Sequence, residues 1–225
     1  MKSWMVIAAL ALLAACTPPA RDAAPARETA VAHDAPAGEY RLDPSHADLT
    51  FRVNHIGFSM YTARFARWDA TLQFDPANPE AMRVEASIDV SSLALPSPPA
   101  GFTEEMLGPQ WFDVAQHPQM IFRSTSVEQT GPNTARVTGD LTLHGQTKPV
   151  TLEARFNGGY AGHPMDPHGR IGFSAHGTLK RSEFGIAYGV PPEGSTMGVF
   201  DEVQIVIETE FTGPPLAGAA QPVNP

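Results

Sequence analysis

One cysteine, Cys16, is all the thiol this chain carries. An intramolecular disulfide is therefore excluded, and any fold must hold by packing alone. Basic charge is scarce: 15 Lys and Arg stand against 24 Asp and Glu, a formal net charge of −9. That balance argues against nucleic acid and against electrostatic docking on anionic lipid. Long apolar runs are missing as well. The run from Trp4 to Ala15 falls short of the roughly 20 residues that cross a bilayer. Catalytic signatures are equally sparse. There is no Gly-x-Ser-x-Gly nucleophile elbow, no glycine-rich phosphate loop and no His-Glu-x-x-His pair. Glu104/Glu105 and Asp201/Glu202 do not resemble a glycosidase pair; the first suits a helix start and the second a turn. The expectation is a non-enzyme that requires no cofactor.

The short apolar run has a use at its own length. Lys2 followed by Trp4–Ala15 has the form of a signal peptide, and Leu13-Ala14-Ala15-Cys16 resembles a bacterial lipobox. The reading is cleavage after residue 15 and a lipid on Cys16, since stable anchoring takes more than one acyl chain. Residues 16–38, rich in Ala and Pro, read as a disordered tether, and 213–225 as a disordered tail. Between them, residues 39–212 have an ordinary length for one domain with its own core.

Within that domain the dominant signal is alternation with period two. Leu49, Phe51 and Val53 alternate with Asp48, Thr50, Arg52 and Asn54; Trp68, Ala70, Leu72 and Phe74 with Asp69, Thr71 and Gln73. The pattern continues through Met82–Val90, Met120–Phe122, Val137–Leu143, Val150–Phe156, Ile171–Leu179 and Val203–Phe211, giving eight candidate strands. Gly101–Phe112 breaks the rhythm with helical spacing and predicts a short helix between the third and fourth strands. Eight antiparallel strands with one apolar face can form a sandwich or a closed barrel. Long strands joined by short hairpins favour the barrel, which leaves no free edge. On the apolar face Ala70, Ala86, Gly139, Ala154, Ala175 and Gly177 are small, which favours a cavity unless Trp, Phe and Met side chains fill the space.

Several segments together resemble the YceI-like family: Tyr40-Arg-Leu-Asp-Pro-Ser-His46 with Phe51-Arg-Val-Asn-His55, Arg64-Phe65 with Asp75-Pro76, Phe112-Asp-Val-Ala-Gln-His-Pro118 with Phe122-Arg-Ser-Thr125, Val137–Gly145, Arg181-Ser-Glu-Phe-Gly185 and Asp201-Glu-Val203. The resemblance implies a lipocalin-like, eight-stranded antiparallel β-barrel whose interior takes a polyisoprenoid lipid or an isoprenoid quinone. Two stretches depart from the family pattern, Leu95–Gly101 and Pro191–Gly198.

The expected cavity lining is Phe51, Val53, Leu72, Phe74, Val84, Ile88, Phe122, Leu141, Leu152, Phe173 and Ile205, with Met106, Trp111 and Phe112 closing one end. His46 and His55 bracket the first strand and are candidates for contact with a polar head group, or for satisfying backbone groups there. The eight histidines are otherwise scattered one per segment, so no metal site is expected; His144 suits a turn, and His163–His168 a solvated loop. The functional expectation is a lipoprotein of the bacterial envelope, facing the periplasm, whose partners are an apolar lipid and the membrane. Oligomeric state is left open, a homodimer included. Two other classes compete: a non-catalytic stress or interaction scaffold with a filled barrel, and an electron-transfer accessory that presents a quinone.

Overall fold

A computed structural model describes residues 28–216. The lipobox-like segment ending at Cys16, the first part of the tether and the last residues of the tail lie outside the described residues.

Ten strands and one short helix follow one another. They are β1 (Gly38–His55), β2 (Ser59–Phe65), β3 (Trp68–Phe74), β4 (Arg83–Asp89), β5 (Leu93–Ala94), α1 (Phe102–Met106), β6 (Gln119–Gln129), β7 (Thr134–Leu143), β8 (Gln146–Tyr160), β9 (His168–Lys180) and β10 (Val199–Pro215). Every pairing is antiparallel. β10 pairs with β1 at the registers Phe51↔Ile205 and Leu42↔Phe211, which closes the sheet on itself. Closure removes the exposed edges an open sheet would carry.

The barrel has eight staves, because two of them are bent. β1 pairs with β2 through its second half and with β3 through its first, so β2 and β3 are one stave broken at Ala66-Arg67. β4 and β5 form the neighbouring stave, broken over Val90–Ser92. The two bends are stitched together. The Ala66 amide donates to the Ser92 carbonyl at 3.1 Å, the Arg67 amide to Ser92 Oγ at 3.0 Å, and the Arg67 guanidinium to Asp89 at 2.8 and 3.0 Å. The eight expected strands are all present; β2 and β5 are the additions.

The insertion is less helical than its spacing predicts. α1 covers only Phe102–Met106. Pro109 lacks the amide a continuing helix needs, and the chain turns instead, with the Trp111 amide on the Gly108 carbonyl and the Val114 amide on that of Leu107. Asp201, expected in a turn, sits in β10 and accepts hydrogen bonds from the Ser182 amide and hydroxyl.

Described residues on either side of the domain also make contacts with the barrel. Residues 28–37, placed in the tether by composition, lie against the barrel as a strap. Buried Asn133 holds it: the Val31 amide donates to Asn133 Oδ1 at 2.7 Å, while Asn133 Nδ2 donates to Glu28 Oε1 and the Thr29 carbonyl. Arg155 pairs with Glu28, and the Ala161 amide donates to Asp34. At the other end Gly213–Pro215, placed in the tail, extend β10. A Cβ on Gly213 would stand 2.1 Å from the ring of Tyr40, which is fully buried and donates to the Pro36 carbonyl at 2.8 Å. Low-complexity composition hides both contacts, since they depend on one buried amide and one missing side chain.

A candidate lipid cavity with a polar end

Inward-facing side chains divide the barrel interior into two lobes of about 610 and about 440 Å³. Either volume is within the range of small-molecule sites. Trp68, Ala86, Phe122, Leu152 and Ile207 border both lobes and form the waist between them. The larger lobe runs toward the insertion and the 3₁₀ turn Arg181–Phe184; the smaller runs toward the strap.

All fourteen expected lining residues border one lobe or the other. Phe51, Val53, Ile88, Met106, Trp111, Phe112, Leu141 and Ile205 line the larger; Leu72, Phe74, Val84 and Phe173 the smaller; Phe122 and Leu152 both. The small residues divide by role. Ala70, Ala154 and Ala175 line the smaller lobe, and Ala86 lies at the waist. Gly139 and Gly177 instead make room for neighbours: a Cβ there would stand 2.4 Å from the Phe122 ring and 2.8 Å from a Leu152 methyl. The waist is therefore shaped by two glycines that seat two large side chains. Aromatic rings build the walls, with Phe51, Phe65 and Phe112 in mutual contact at 5.6–6.5 Å and Phe74, Phe156 and Phe173 at 5.4–6.0 Å.

Two histidine expectations part company. His55 ends β1 at the larger lobe and borders it. His46 borders neither lobe: β1 bulges between Leu42 and Ala47, and His46 Nδ1 sits 3.0 Å from Asp43 on the outer face. Its contacts there are structural. Hydrogen bonds from His46 and Arg170, in that order of importance, hold the Asp43 carboxyl well below the usual carboxylate range. The hydrogen bond to Asp43 in turn raises the His46 imidazole.

The polar end of the larger lobe is Arg181. Its side chain is buried, with the residue 5% exposed, and borders the lobe. Four of its five N–H donors are spent on backbone carbonyls: Phe200 at 3.0 Å, Ile186 and Tyr188 at 2.8 Å each, and Val199 at 2.7 Å. No carboxylate among the described residues hydrogen-bonds it, and burial lowers its pKa. The guanidinium carbon stands 5.2 Å from the ring centroid of Trp111, a cation–π distance. The buried indole Nε1 of Trp111 finds no acceptor among the described residues. A cation and an unspent donor at the end of an apolar cavity suit a hydrogen-bond acceptor carried on an apolar chain. Composition could not single out Arg181; only its place in the resembling motif Arg181–Gly185 marks it.

Of the two departures from the family pattern, Leu95–Pro99 lines the larger lobe directly. Pro191–Gly198 does not line it and packs instead on the β1–β2 turn: Gly198 accepts from the Ile56 amide at 3.0 Å, and Phe58 (86%) and Met197 (74%) are exposed in these two loops.

Comparison with known proteins agrees with this geometry. A UPF0312 protein of Pseudomonas savastanoi pv. phaseolicola is 39% identical over 180 residues, covering 77% of this chain and 90% of that protein. One from Pseudomonas putida is 41% identical over 159 residues, covering 69% and 80%. Among solved structures, Burkholderia cenocepacia BcnA aligns with a TM-score of 0.63 at 26% identity, over 75% of this chain and 98% of that one. A polyisoprenoid binding domain from Saccharophagus degradans shares the fold at 11% identity and a TM-score of 0.53, over 80% of this chain and all of that one. The YceI-like domain model spans residues 40–211, from the first strand to the last. With that span, and relatives near 40% identity, the chain belongs to the YceI-like family.

Proposed function

We propose that this protein is a carrier of an isoprenoid-type lipid, a polyisoprenoid or isoprenoid quinone, held at the bacterial envelope by a lipid on Cys16. The tail would thread the waist into the smaller lobe, and the head would rest against Arg181 and Trp111. The observation that carries this reading is the cavity itself. The larger lobe is walled mostly by apolar side chains, with Arg181 as its one buried charged lining residue among those described, and the smaller lobe adds His33, Asn133 and Thr209 to a largely apolar wall. Affinity comes from burial, at about 25 cal/mol per Å² of apolar surface before the cost of ordering a flexible chain. No bond is made or broken, and no cofactor is required. The name of the Saccharophagus degradans neighbour describes a polyisoprenoid binder, a role in keeping with the cavity here, although 11% identity speaks for fold alone.

Exposed Phe58, three residues beyond the lobe-lining His55, and exposed Met197 support exchange of cargo with a membrane, and the lipobox-like Leu13–Cys16 supplies the means of staying beside it. Equilibrium dialysis against a labelled isoprenoid quinone tests the reading. Wild type is expected to saturate at one lipid per chain. Ala154→Arg, which sets a charge in the smaller lobe, is expected to abolish loading while the barrel stays folded; unchanged loading would place the lipid elsewhere. Trp111→Phe is expected to weaken quinone binding about tenfold, the worth of one hydrogen bond, and to leave a headless hydrocarbon unaffected.

A further inference from the structure

Three side chains from two segments converge behind the larger lobe. Asp113 and His117 belong to the segment that follows α1, and His144 to the turn between β7 and β8. One ligand atom from each lies within 4.8 Å of the other two. Spacing along the chain conceals the group, because Asp113 and His117 lie four residues apart in one segment while His144 comes from another.

The group is held in place by features that chain packing alone does not require. His144 Nδ1 is 3.0 Å from the Phe184 carbonyl. A carbonyl only accepts, so Nδ1 carries the proton and Nε2 presents its lone pair. That Nε2 is buried and has no hydrogen-bond partner among the described residues. An imidazole whose far nitrogen is fixed by a backbone carbonyl is how metal-binding histidines are oriented. Both rings are seated on glycines: a Cβ on Gly145 would stand 2.6 Å from the His117 ring, and one on Gly185 would stand 3.1 Å from His144 Nδ1. Asp113 has a positive φ (44°), and the positive φ of His144 (50°) with that of Gly145 (71°) is the geometry of the two-residue hairpin turn that carries His144 to this point.

We propose that Asp113, His117 and His144 form a three-ligand site for a divalent transition ion. Two imidazoles and one carboxylate suit Zn²⁺ best, with the fourth tetrahedral position open. A small closing movement brings the three atoms to coordination distance. The second histidine–carboxylate group among the described residues, Asp43, His46 and Glu210, makes a poorer site, because Arg170 already occupies the Asp43 carboxylate. The ion would tie the insertion to the barrel wall. Met106, Trp111 and Phe112, which line the larger lobe, stand just ahead of two of its ligands.

The test uses the full chain without an affinity tag, carrying Cys16→Ser so that no thiol competes, and stripped of metal. Co²⁺ is titrated first for its visible spectrum, then displaced by Zn²⁺. The expected result is one equivalent of Co²⁺ with tetrahedral absorption, bleached by Zn²⁺, and a higher Tm with Zn²⁺ than without. His117→Ala and His144→Ala lose that equivalent, and His46→Ala keeps it. His117→Ala decides the matter, because His144 also supports the Phe184 carbonyl; circular dichroism checks that the variant is folded. Absence of saturable binding in the Cys16→Ser chain, or full binding retained by folded His117→Ala, overturns the proposal. Neither readout depends on lipid.

Discussion

At the scale of single residues, several contacts carry more than composition suggests. Asp43 is the clearest. It accepts from the Ser45 amide and hydroxyl, from His46 and from Arg170, and Arg170 also reaches Asp166 at 2.9 Å. Its folded pKa is depressed, so the folded state binds fewer protons than the unfolded one. The stabilisation is therefore complete above about pH 4, the ordinary carboxylate value, and is lost as pH falls below it. The raised His46 works in the other direction. Its contribution is complete below about pH 6.5 and is lost as pH rises through the folded value. Urea unfolding at a series of pH values should show Asp43→Asn less stable than wild type by about 2 kcal/mol between those limits, with the gap closing in acid. A gap that stays constant from about pH 5 down to about pH 2 would contradict the assignment. Gly213→Ala drives a methyl into the Tyr40 ring, which cannot retreat, and is expected to cost about 1–3 kcal/mol in the same measurement.

At the scale of elements, alternation located what it could locate. It found the eight staves and the inward face of each, because a half-buried strand must alternate whatever surrounds it. β2 shows the limit. Tyr61, Ala63 and Phe65 do alternate inward against Met60, Thr62 and Arg64, but seven residues ending in a bend leave a faint trace. The lining residues were legible for the same reason that the staves were. The polar features were not. Arg181 matters because four carbonyls from the following segment converge on it, and Asn133 because a distant strap needs an anchor. Each is a long-range coincidence with no local period. Asn133→Ala removes three hydrogen bonds to the strap at once. Hydrogen exchange at the Val31 amide should then accelerate at least tenfold, since each such bond contributes about 1 kcal/mol, while amides of β6–β10 stay protected. Unchanged exchange at Val31 would mean that the strap is held by its apolar contacts instead.

At the scale of the whole molecule, the fold answers a physical difficulty. A long apolar chain cannot cross water alone, and a closed barrel can offer it a dry interior without leaving a sheet edge exposed. The small residues on the inner face keep that interior from filling, and the two glycines at the waist set Phe122 and Leu152 where a chain would pass. Arg181 and Trp111 set a buried cation and an unspent donor at one end, where the head of a bound amphiphile would rest. Anchoring beside a membrane would keep such a carrier where its cargo resides. A barrel whose inner face were packed solid would need none of this.

The most direct test is native mass spectrometry of the Cys16→Ser protein purified from cells without detergent, followed by organic extraction of whatever is released. The account predicts one lipid per chain, with a repeating five-carbon tail and a head that accepts hydrogen bonds, and none in the Ala154→Arg variant. A wild-type protein that emerges empty, and stays empty when offered isoprenoid quinones and polyprenols, would contradict it.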